Sequence, residues 1–376
     1  MNNDGLLNIC IFIGGCSVEH EISLISGLQA ILNLDKSLYK PFVVYLSKDN
    51  EFIYLKDLNT TNYFKEGHHL NKKTNCYFIR KNNNTYLVYK RKHYKIDICF
   101  PVVHGKGVED GNLSGYINLL KLPNVCSNVL SSSIAQDKGM CKKILKTKGI
   151  RMCKWIELTK ETKQKKIDKL LNNFKFPLII KPSTLGSSIG IEIANNIEEL
   201  NTLIDNALKY DKKVIIEEKL TNYIEYNMAC FKSKGILYPS LVEEVKTTSN
   251  YLTFNDKYAS GGLKETSKEN RTIPAPIDES LLNEITNYTK NIYNTLNFSG
   301  VIRIDYLYDL DNNKLYFNEV NTIPGSLAFY LYKDYSFKEL LNILIKEAIL
   351  NFNKEKELIN SFNTNILQLK DLKMKK

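Results

Sequence analysis

The sequence predicts an open α/β unit in the first third of the chain and α+β structure over most of the remainder. Residues 7–13, LNICIFI, form a continuous apolar run of the kind found in buried parallel strands. Gly14-Gly15 then turns the chain, and apolar residues with near-helical spacing follow. In the second half, strands recur between helices without a regular βα alternation, which is typical of α+β domains.

The N-terminal unit, residues 1–126, is expected to place its ligands at one edge of its sheet. Ser17 is positioned to cap a helix whose first turn carries Glu19 and Glu21. Further strands are predicted over 40–46 and 96–103, with a hairpin-like basic segment between them. In open α/β sheets, ligands bind beyond the C-terminal ends of the strands.

The rest of the chain divides into three further parts. These are a central unit, a C-terminal unit and a basic tail, over residues 127–213, 214–352 and 353–376. Helices are predicted over 131–149, 197–210, 278–297 and about 336–357. Strands are predicted over 176–181, 191–194, 214–218, 225–231 and 236–245, and a hairpin over 300–321. No linker rich in Pro or Gly separates these units, so they are expected to pack closely.

Composition and charge argue for a folded protein and against a nucleic-acid binder. The 376 residues are 43% hydrophobic and 25% charged, which argues against disorder. The net charge of +11 is concentrated in residues 61–95 and in the tail. Neither segment carries a nucleic-acid recognition motif, so we interpret them as a solvated loop and tail. Polyanion binding by residues 61–95 remains the last alternative.

The cysteines and the apolar runs predict a cytoplasmic protein without a membrane segment. None of the eight cysteines forms a CxxC pair, so a zinc ribbon is not expected. Several of them lie in apolar runs, where cysteine acts as a small hydrophobic residue. The sequence has neither the pattern of a signal peptide nor an apolar run long enough to span a membrane. A reducing cytoplasm suits these features.

The predicted hairpin carries the sharpest local signal for chemistry. If Asp311-Asn312-Asn313 form its loop, Leu310 pairs with Lys314, Asp305 faces Glu319 and Arg303 faces Asn321. The two-residue period of a strand keeps these last four side chains on one face. Two carboxylates and an amide oxygen suit magnesium, and an arginine beside them can hold a developing anion. A solvated salt-bridged face explains the pattern equally well, because a one-residue slip in register removes it.

Four other segments are weaker when each is taken alone. KPSTLGSSIG, residues 181–190, can present backbone N–H groups to phosphates, and IIEEKL, residues 215–220, can border an adenine. HGKGVEDGNLSG, residues 104–115, places a histidine at a strand end, and FNDKYASGG, residues 254–262, can form a lid. Each segment, taken singly, also has a structural explanation that is at least as good. These explanations are a turn for 181–190, an exposed strand end for 215–220, a structural histidine for 104–115 and a surface loop for 254–262.

The order of the segments is more specific than any one of them. GGCSVEHEISLISG, HGKGVEDGNLSG, QDKGMCKK, KPSTLGSSIG, DKYASG, GVIRIDY and NEVNTIPG together closely resemble the D-alanine–D-alanine ligase family of the ATP-grasp superfamily, from about residue 8 to about residue 350. The resemblance implies a two-subdomain ATP-grasp fold after the N-terminal domain. It implies ATP and D-alanine as substrates, with two magnesium ions that manganese can replace. It also implies a homodimer that serves peptidoglycan synthesis.

The resemblance also implies which residues form the site. The predicted magnesium ligands are Asp305, Glu319 and Asn321, with Glu319 bridging two ions. The predicted ATP contacts are Lys138, Lys181 and Lys257 for the phosphates, Glu218 for the adenine and Glu225 for the ribose. The predicted catalytic residues are Glu19 and His104 beside the donor, Ser187 and Tyr258 at the lid, and Arg303 at the oxyanion.

Two positions depart from the family pattern, and the second leaves the acceptor open. Val108 stands where the family usually has Gly. Tyr330 stands where the family usually has the serine that binds the acceptor carboxylate. Ser326 is the predicted replacement, with Tyr330 as its rival, and the presence of Tyr258 favours an amine acceptor. The alternatives are a related ligase that uses D-serine, D-lactate or another amino acid, and a nucleotide-binding regulator without chemistry.

Overall fold

The computed structural model describes residues 5–56, 58, 64, 75–162, 167, 171–245 and 271–359. The strands are β1 (Leu7–Gly14), β2 (Tyr39–Leu46), β3 (Phe52–Leu55), β4 (Tyr77–Lys81), β5 (Asn84–Tyr89), β6 (Lys92–Ile96), β7 (Ile98–Pro101), β8 (Trp155–Thr159), β9 (Leu178–Pro182), β10 (Glu192–Ala194), β11 (Lys213–Glu218), β12 (Tyr223–Ser233), β13 (Ile236–Val245), β14 (Arg271–Thr272), β15 (Val301–Asp309) and β16 (Lys314–Asn321). The helices are α1 (His20–Asn33), α2 (Asn112–Leu119), α3 (Val129–Gln136), α4 (Lys138–Lys146), α5 (Ile197–Ala207), α6 (Glu279–Thr295) and α7 (Phe337–Lys356).

The N-terminal sheet has the predicted open α/β character. Its strand order is β3-β2-β1-β7, with β1 parallel to both β2 and β7. Residues 9–13 of β1 are fully buried, because the central strand of such a sheet is covered on both faces. Strands β4, β5 and β6 form a separate antiparallel sheet within the basic segment, which confirms its hairpin-like alternation.

The central sheet has the order β10-β9-β11-β8 and is antiparallel at every pair. The predicted unit boundary at residue 214 falls inside β11, which pairs with β8 and β9. Sheet pairing therefore places β11 with the central unit. The boundaries of the units as such remain predictions.

The C-terminal sheet, with the order β14-β13-β12-β15-β16, contains the predicted hairpin. Asp305 pairs with Glu319 and Arg303 pairs with Asn321, as the sequence predicted. The predicted loop is nevertheless wrong, because Asp309 rather than Leu310 pairs with Lys314. A bulge at Asn318 compensates for the longer loop and restores the predicted register for the pairs beyond it, away from the loop.

Helix boundaries differ from the predictions at two places near the site. The helix expected over 131–149 is broken into α3 and α4 at Asp137, whose side chain accepts a hydrogen bond from the Met140 N–H at 3.0 Å. Ser17 does not cap α1, because the helix begins at His20 with Glu19 in the N-cap position; the Ser17 hydroxyl accepts from the Glu19 N–H at 3.1 Å in the turn before it. Asp278 caps α6 by accepting a hydrogen bond from the Leu281 N–H at 2.8 Å. Across the described helices, none combines the length and apolarity needed to cross a membrane.

Candidate active site

Two adjoining cavities meet between the central and C-terminal sheets. The larger spans about 650 Å³, including space open to solvent, and its walls include Lys181 and Glu225. The smaller spans about 390 Å³, counted in the same way, and its walls include Glu19. Lys138 and Glu319 line both cavities. A molecule bound in either cavity can therefore reach these two side chains.

Two lysines lie at the shared end of the larger cavity. The Lys138 ammonium donates to the Leu185 carbonyl at 2.6 Å and lies 3.4 Å from the Glu319 carboxylate. The Lys181 ammonium donates to Glu217 at 3.2 Å and to the side-chain carbonyl of Asn318 at 3.0 Å. Burial opposes the charge of Lys181, but Glu217 and Glu319 outweigh it and raise its pKa. Two ammonium groups therefore line the larger cavity, where they can bind phosphates.

Glu217 is a site residue that the sequence analysis missed. Its buried carboxylate lies 3.2 Å from both Lys142 and Lys181. Burial opposes its charge, but these two lysines lower its pKa. In the β9–β11 register, Lys181 faces Ile215 and therefore shares a side of the sheet with Glu217. Lys142 was also missed; its charge is buried beneath the cavity wall.

The two predicted nucleotide carboxylates, Glu218 and Glu225, lie in different settings. Glu218 points to the opposite side of β11, where it accepts from the Lys175 N–H at 2.9 Å and lies 3.8 Å from Lys154. Its adenine contact stays a prediction, and Glu218 does not line the larger cavity. Glu225 lines that cavity from β12, beside Tyr223.

The predicted magnesium ligands share one face of the β15–β16 hairpin. Arg303 donates from Nε and Nη2 to the two oxygens of Asp305, at 2.7 and 2.9 Å. Asn321 donates from Nδ2 to Asp305 at 3.1 Å, which leaves its carbonyl oxygen for another partner. Burial opposes the charge of Arg303, yet the adjacent Asp305 raises the pKa of Arg303 well above its usual value. Glu319 lies opposite Asp305.

Two of the carboxylates that line the smaller cavity, Glu19 and Glu109, interact with each other. Glu19 accepts a hydrogen bond from the Ser187 hydroxyl, which brings two predicted residues together. Glu109, which the sequence analysis passed over, accepts from the Gly105 N–H at 2.6 Å and the Ile323 N–H at 2.9 Å. Burial and then the charge of Glu19 raise the pKa of Glu109 to about 7. A cation placed between these carboxylates would relieve that repulsion.

His104 joins the N-terminal domain to the loop after β16. Its Nδ1 donates to the Ile323 carbonyl at 2.6 Å, and its Nε2 accepts from the Ser26 hydroxyl at 2.8 Å. Burial lowers the pKa of His104, so the ring is neutral. The Ser26 oxygen in turn accepts from the Ser326 N–H at 3.0 Å. His104 thus positions this loop, and its predicted role beside the donor stays a prediction.

The two candidates for the acceptor carboxylate lie in a left-handed turn and just after it. Ser326, Leu327 and Ala328 all have φ near +50°. Ser326 is held through its backbone to α1, by way of Ser26. Tyr330 lies two residues beyond the turn, and its hydroxyl donates to Glu243 at 3.4 Å. The remaining predicted residues, Lys257 and Tyr258, lie outside the described residues.

Comparison with known families explains why these groups converge. The family model of the D-ala D-ala ligase C-terminus matches residues 144–346, and that of the N-terminus matches residues 8–127. The chain belongs to the D-alanine–D-alanine ligase family. The predicted resemblance is therefore confirmed over almost the whole described chain.

Individual members of the family are similar along their full length. A D-alanine–D-alanine ligase from Thermosipho melanesiensis is 36% identical over 369 residues, which cover 97% of this chain and 99% of the relative. The structure of the VanG D-Ala:D-Ser ligase from Enterococcus faecalis is 28% identical with a TM-score of 0.78, covering 91% of this chain and 99% of that one. The ligase structure from Coxiella burnetii, 24% identical with a TM-score of 0.77, covers 94% of this chain and 96% of its own and shares the fold. The predicted ATP-grasp fold is confirmed.

Proposed function

We propose that the chain is an ATP-dependent ligase that joins two D-alanines through a D-alanyl phosphate and supplies the dipeptide for peptidoglycan synthesis. One observation carries the proposal. Glu319 from the β15–β16 hairpin and Lys138 line both cavities, and Lys181 lines the larger one beside them. That arrangement suits a nucleotide in the larger cavity whose terminal phosphate reaches a small carboxylate in the smaller one.

The donor set on the hairpin fits magnesium. Asp305, Glu319 and the free carbonyl of Asn321 are hard oxygen ligands, which magnesium prefers. These three residues would hold magnesium, which would neutralise the charge on the transferring phosphate. Among the described residues, no three His, Cys, Asp or Glu side chains gather as a metal site, and the proposed set uses an amide as its third ligand.

The protein's own residues align the two substrates for phosphoryl transfer. Such a reaction needs charge neutralisation and positioning more than covalent help. Lys138 and Lys181 hold the phosphates of ATP in the larger cavity. Glu19, oriented by Ser187, holds the ammonium of the donor D-alanine. The carboxylate of that D-alanine attacks the γ-phosphorus of ATP. ADP leaves, and a D-alanyl phosphate remains in the smaller cavity.

Arg303 serves the second step. The amine of the acceptor attacks the acyl carbon, and a proton and inorganic phosphate depart as the peptide bond forms. Arg303 uses two of its N–H groups on Asp305, which fixes the guanidinium plane. Its remaining donors are available to the oxyanion that develops in the tetrahedral intermediate.

The lid role of Tyr258 gives a prediction on coupling. Closure over the site excludes water from the acyl phosphate. Tyr258→Phe should therefore raise ATP hydrolysis relative to dipeptide formation by several-fold, with little change in the KM for ATP. The measurement compares phosphate release with dipeptide yield in the same reaction. Tyr288→Phe, on α6, is the matched control, and an unaltered ratio in Tyr258→Phe would contradict the lid role.

A substrate panel tests the proposed function itself. ADP release is measured with D-amino and D-hydroxy acids, added singly and in pairs. We expect release that requires D-alanine, and D-alanyl-D-alanine as the main product. A faster reaction with D-serine or D-lactate as the second partner would replace the acceptor but keep the ligase chemistry. No release with any pair would leave the nucleotide-binding regulator as the better hypothesis.

Two further features belong to the same proposal. We expect the ligase to work in the cytoplasm, where its nucleotide is available, and its free cysteines suit a reducing compartment. We also expect a homodimer, as the family resemblance implies. Sedimentation of the purified chain checks the second expectation.

A further inference from the structure

The predicted magnesium ligands belong to a row of polar side chains on one face of the C-terminal sheet. This row continues across the neighbouring strands to a second cluster. Asp305 on β15 faces Asn227 on β12, and Asn227 faces Glu243 on β13. Paired residues share a face of the sheet, so the row extends the site away from Glu319. Glu243 is only 1% exposed and accepts from Asn227 Nδ2 at 3.2 Å. A buried carboxylate is stable only when neighbouring groups supply hydrogen bonds or a positive charge.

Arg271 and Tyr330 complete this cluster. The Arg271 Nη1 lies 3.3 Å from Glu243 Oε1, and its guanidinium lies over the Tyr330 ring, 5.8 Å from the centroid. The Tyr330 hydroxyl donates to Glu243 Oε2 at 3.4 Å. Glu243 therefore holds both side chains in place, and a cation–π contact with the tyrosine ring further orients the guanidinium.

This arrangement decides what Tyr330 can offer an acceptor. A phenol carries one O–H donor, and Tyr330 gives that donor to Glu243. Its oxygen can then only accept hydrogen bonds, so it cannot replace the serine hydroxyl that the family uses on the acceptor carboxylate. Ser326 is held on the α1 side through its backbone N–H. Its hydroxyl is a neutral donor, so a charged donor would bind a carboxylate at this end of the site more strongly.

Arg271 has the required properties. A guanidinium carries five N–H donors, and the contact with Glu243 uses one edge of it. The side chain is 38% exposed, so an incoming substrate can reach it. Arginine matches a carboxylate with paired N–H groups, and such charge-assisted bonds are stronger than a bond from a neutral hydroxyl.

We propose that Arg271, positioned by Glu243 and Tyr330, binds the carboxylate of the acceptor in place of the serine of the family. This inference rests on the proposed ligase function. It specifies the acceptor as an α-amino acid with a free carboxylate. Arg271 is the residue that touches the substrate, while Glu243 and Tyr330 act through it.

Hydroxylamine separates the acceptor carboxylate from the rest of the chemistry. It attacks an acyl phosphate through nitrogen, releases phosphate and leaves a hydroxamate, yet it carries no carboxylate. Arg271→Gln should raise the KM for acceptor D-alanine about 10- to 100-fold, with hydroxamate formation from ATP and donor D-alanine unchanged. Glu243→Gln should shift the same KM in the same direction by a smaller factor. Arg271→Lys should restore part of the loss, because the charge returns without the paired N–H groups.

The matched control is Arg151→Gln. Arg151 is similarly exposed, at 40%, and is paired with Glu284 at 3.1 Å. It should leave both reactions unchanged. Equal losses of dipeptide and hydroxamate in Arg271→Gln would overturn the inference, and so would a raised acceptor KM in Ser326→Ala with none in Arg271→Gln. If the parent enzyme forms no hydroxamate at all, the proposed function fails first and this inference fails with it.

Discussion

Glu319→Gln is expected to lower kcat by about three orders of magnitude. Glu319 lies on the wall that both cavities share, opposite Asp305 and 3.4 Å from Lys138. Removing its charge takes away a proposed magnesium ligand, which costs several kcal/mol of transition-state stabilisation. The side chain is 23% exposed and glutamine has nearly the same shape, so the fold should survive.

Steady-state kinetics and thermal unfolding, measured on the same preparation, check this expectation. Glu284→Gln is the control, because Glu284 is a partly exposed glutamate on α6 whose partner is Arg151. It should keep normal turnover. Near-normal turnover in Glu319→Gln would remove the magnesium face from the proposed mechanism.

Lys181→Met is expected to cost about two to three orders of magnitude in kcat/KM for ATP. The lysine is a buried cation at the phosphate end of the larger cavity, where one preorganised contact of this kind is typically worth that much. Glu217 keeps Lys142 as a partner at 3.2 Å, so the substitution leaves no buried carboxylate without a counter-charge. The folded enzyme should therefore still be obtained.

Lys142→Met supplies the matched comparison. Both lysines pair with Glu217, but Lys142 does not line the larger cavity. Similar changes in thermal stability are expected for the two variants, while the KM for ATP should rise strongly only in Lys181→Met. Equal kinetic losses would mean that Lys181 acts by supporting Glu217 rather than by holding phosphate.

The metal face is the part of the site that the sequence could predict in detail. A hairpin has a two-residue period, so one correct pair places every neighbour on a known face. The predicted loop was one residue too short, and Leu310 does not pair with Lys314. The bulge at Asn318 cancels that error before Asp305 is reached. The same bulge gives Asn318 its contact with Lys181, which local turn chemistry cannot reveal.

The break between α3 and α4 was harder to predict from the sequence. The run over 131–149 has helical character throughout, but Asp137 interrupts it and caps the second helix. Its carboxylate also binds Ser183 and Lys213, which come from the central sheet. The competing partners lie far along the chain, so tertiary contacts overrode the local preference for one helix.

The sequence by itself determined the fold class, the family and the residues of the hairpin face, because these follow from periodicity and from the order of short motifs. Only the tertiary structure decided which glutamate of IIEEKL faces Lys181 and what surrounds Tyr330. Glu217 and Glu218 differ by one position, and the β9–β11 register selects between them. Glu243, Arg271 and Tyr330 meet from three separate elements. Side chains this far apart in sequence are brought together by sheet pairing and burial, which no local pattern encodes.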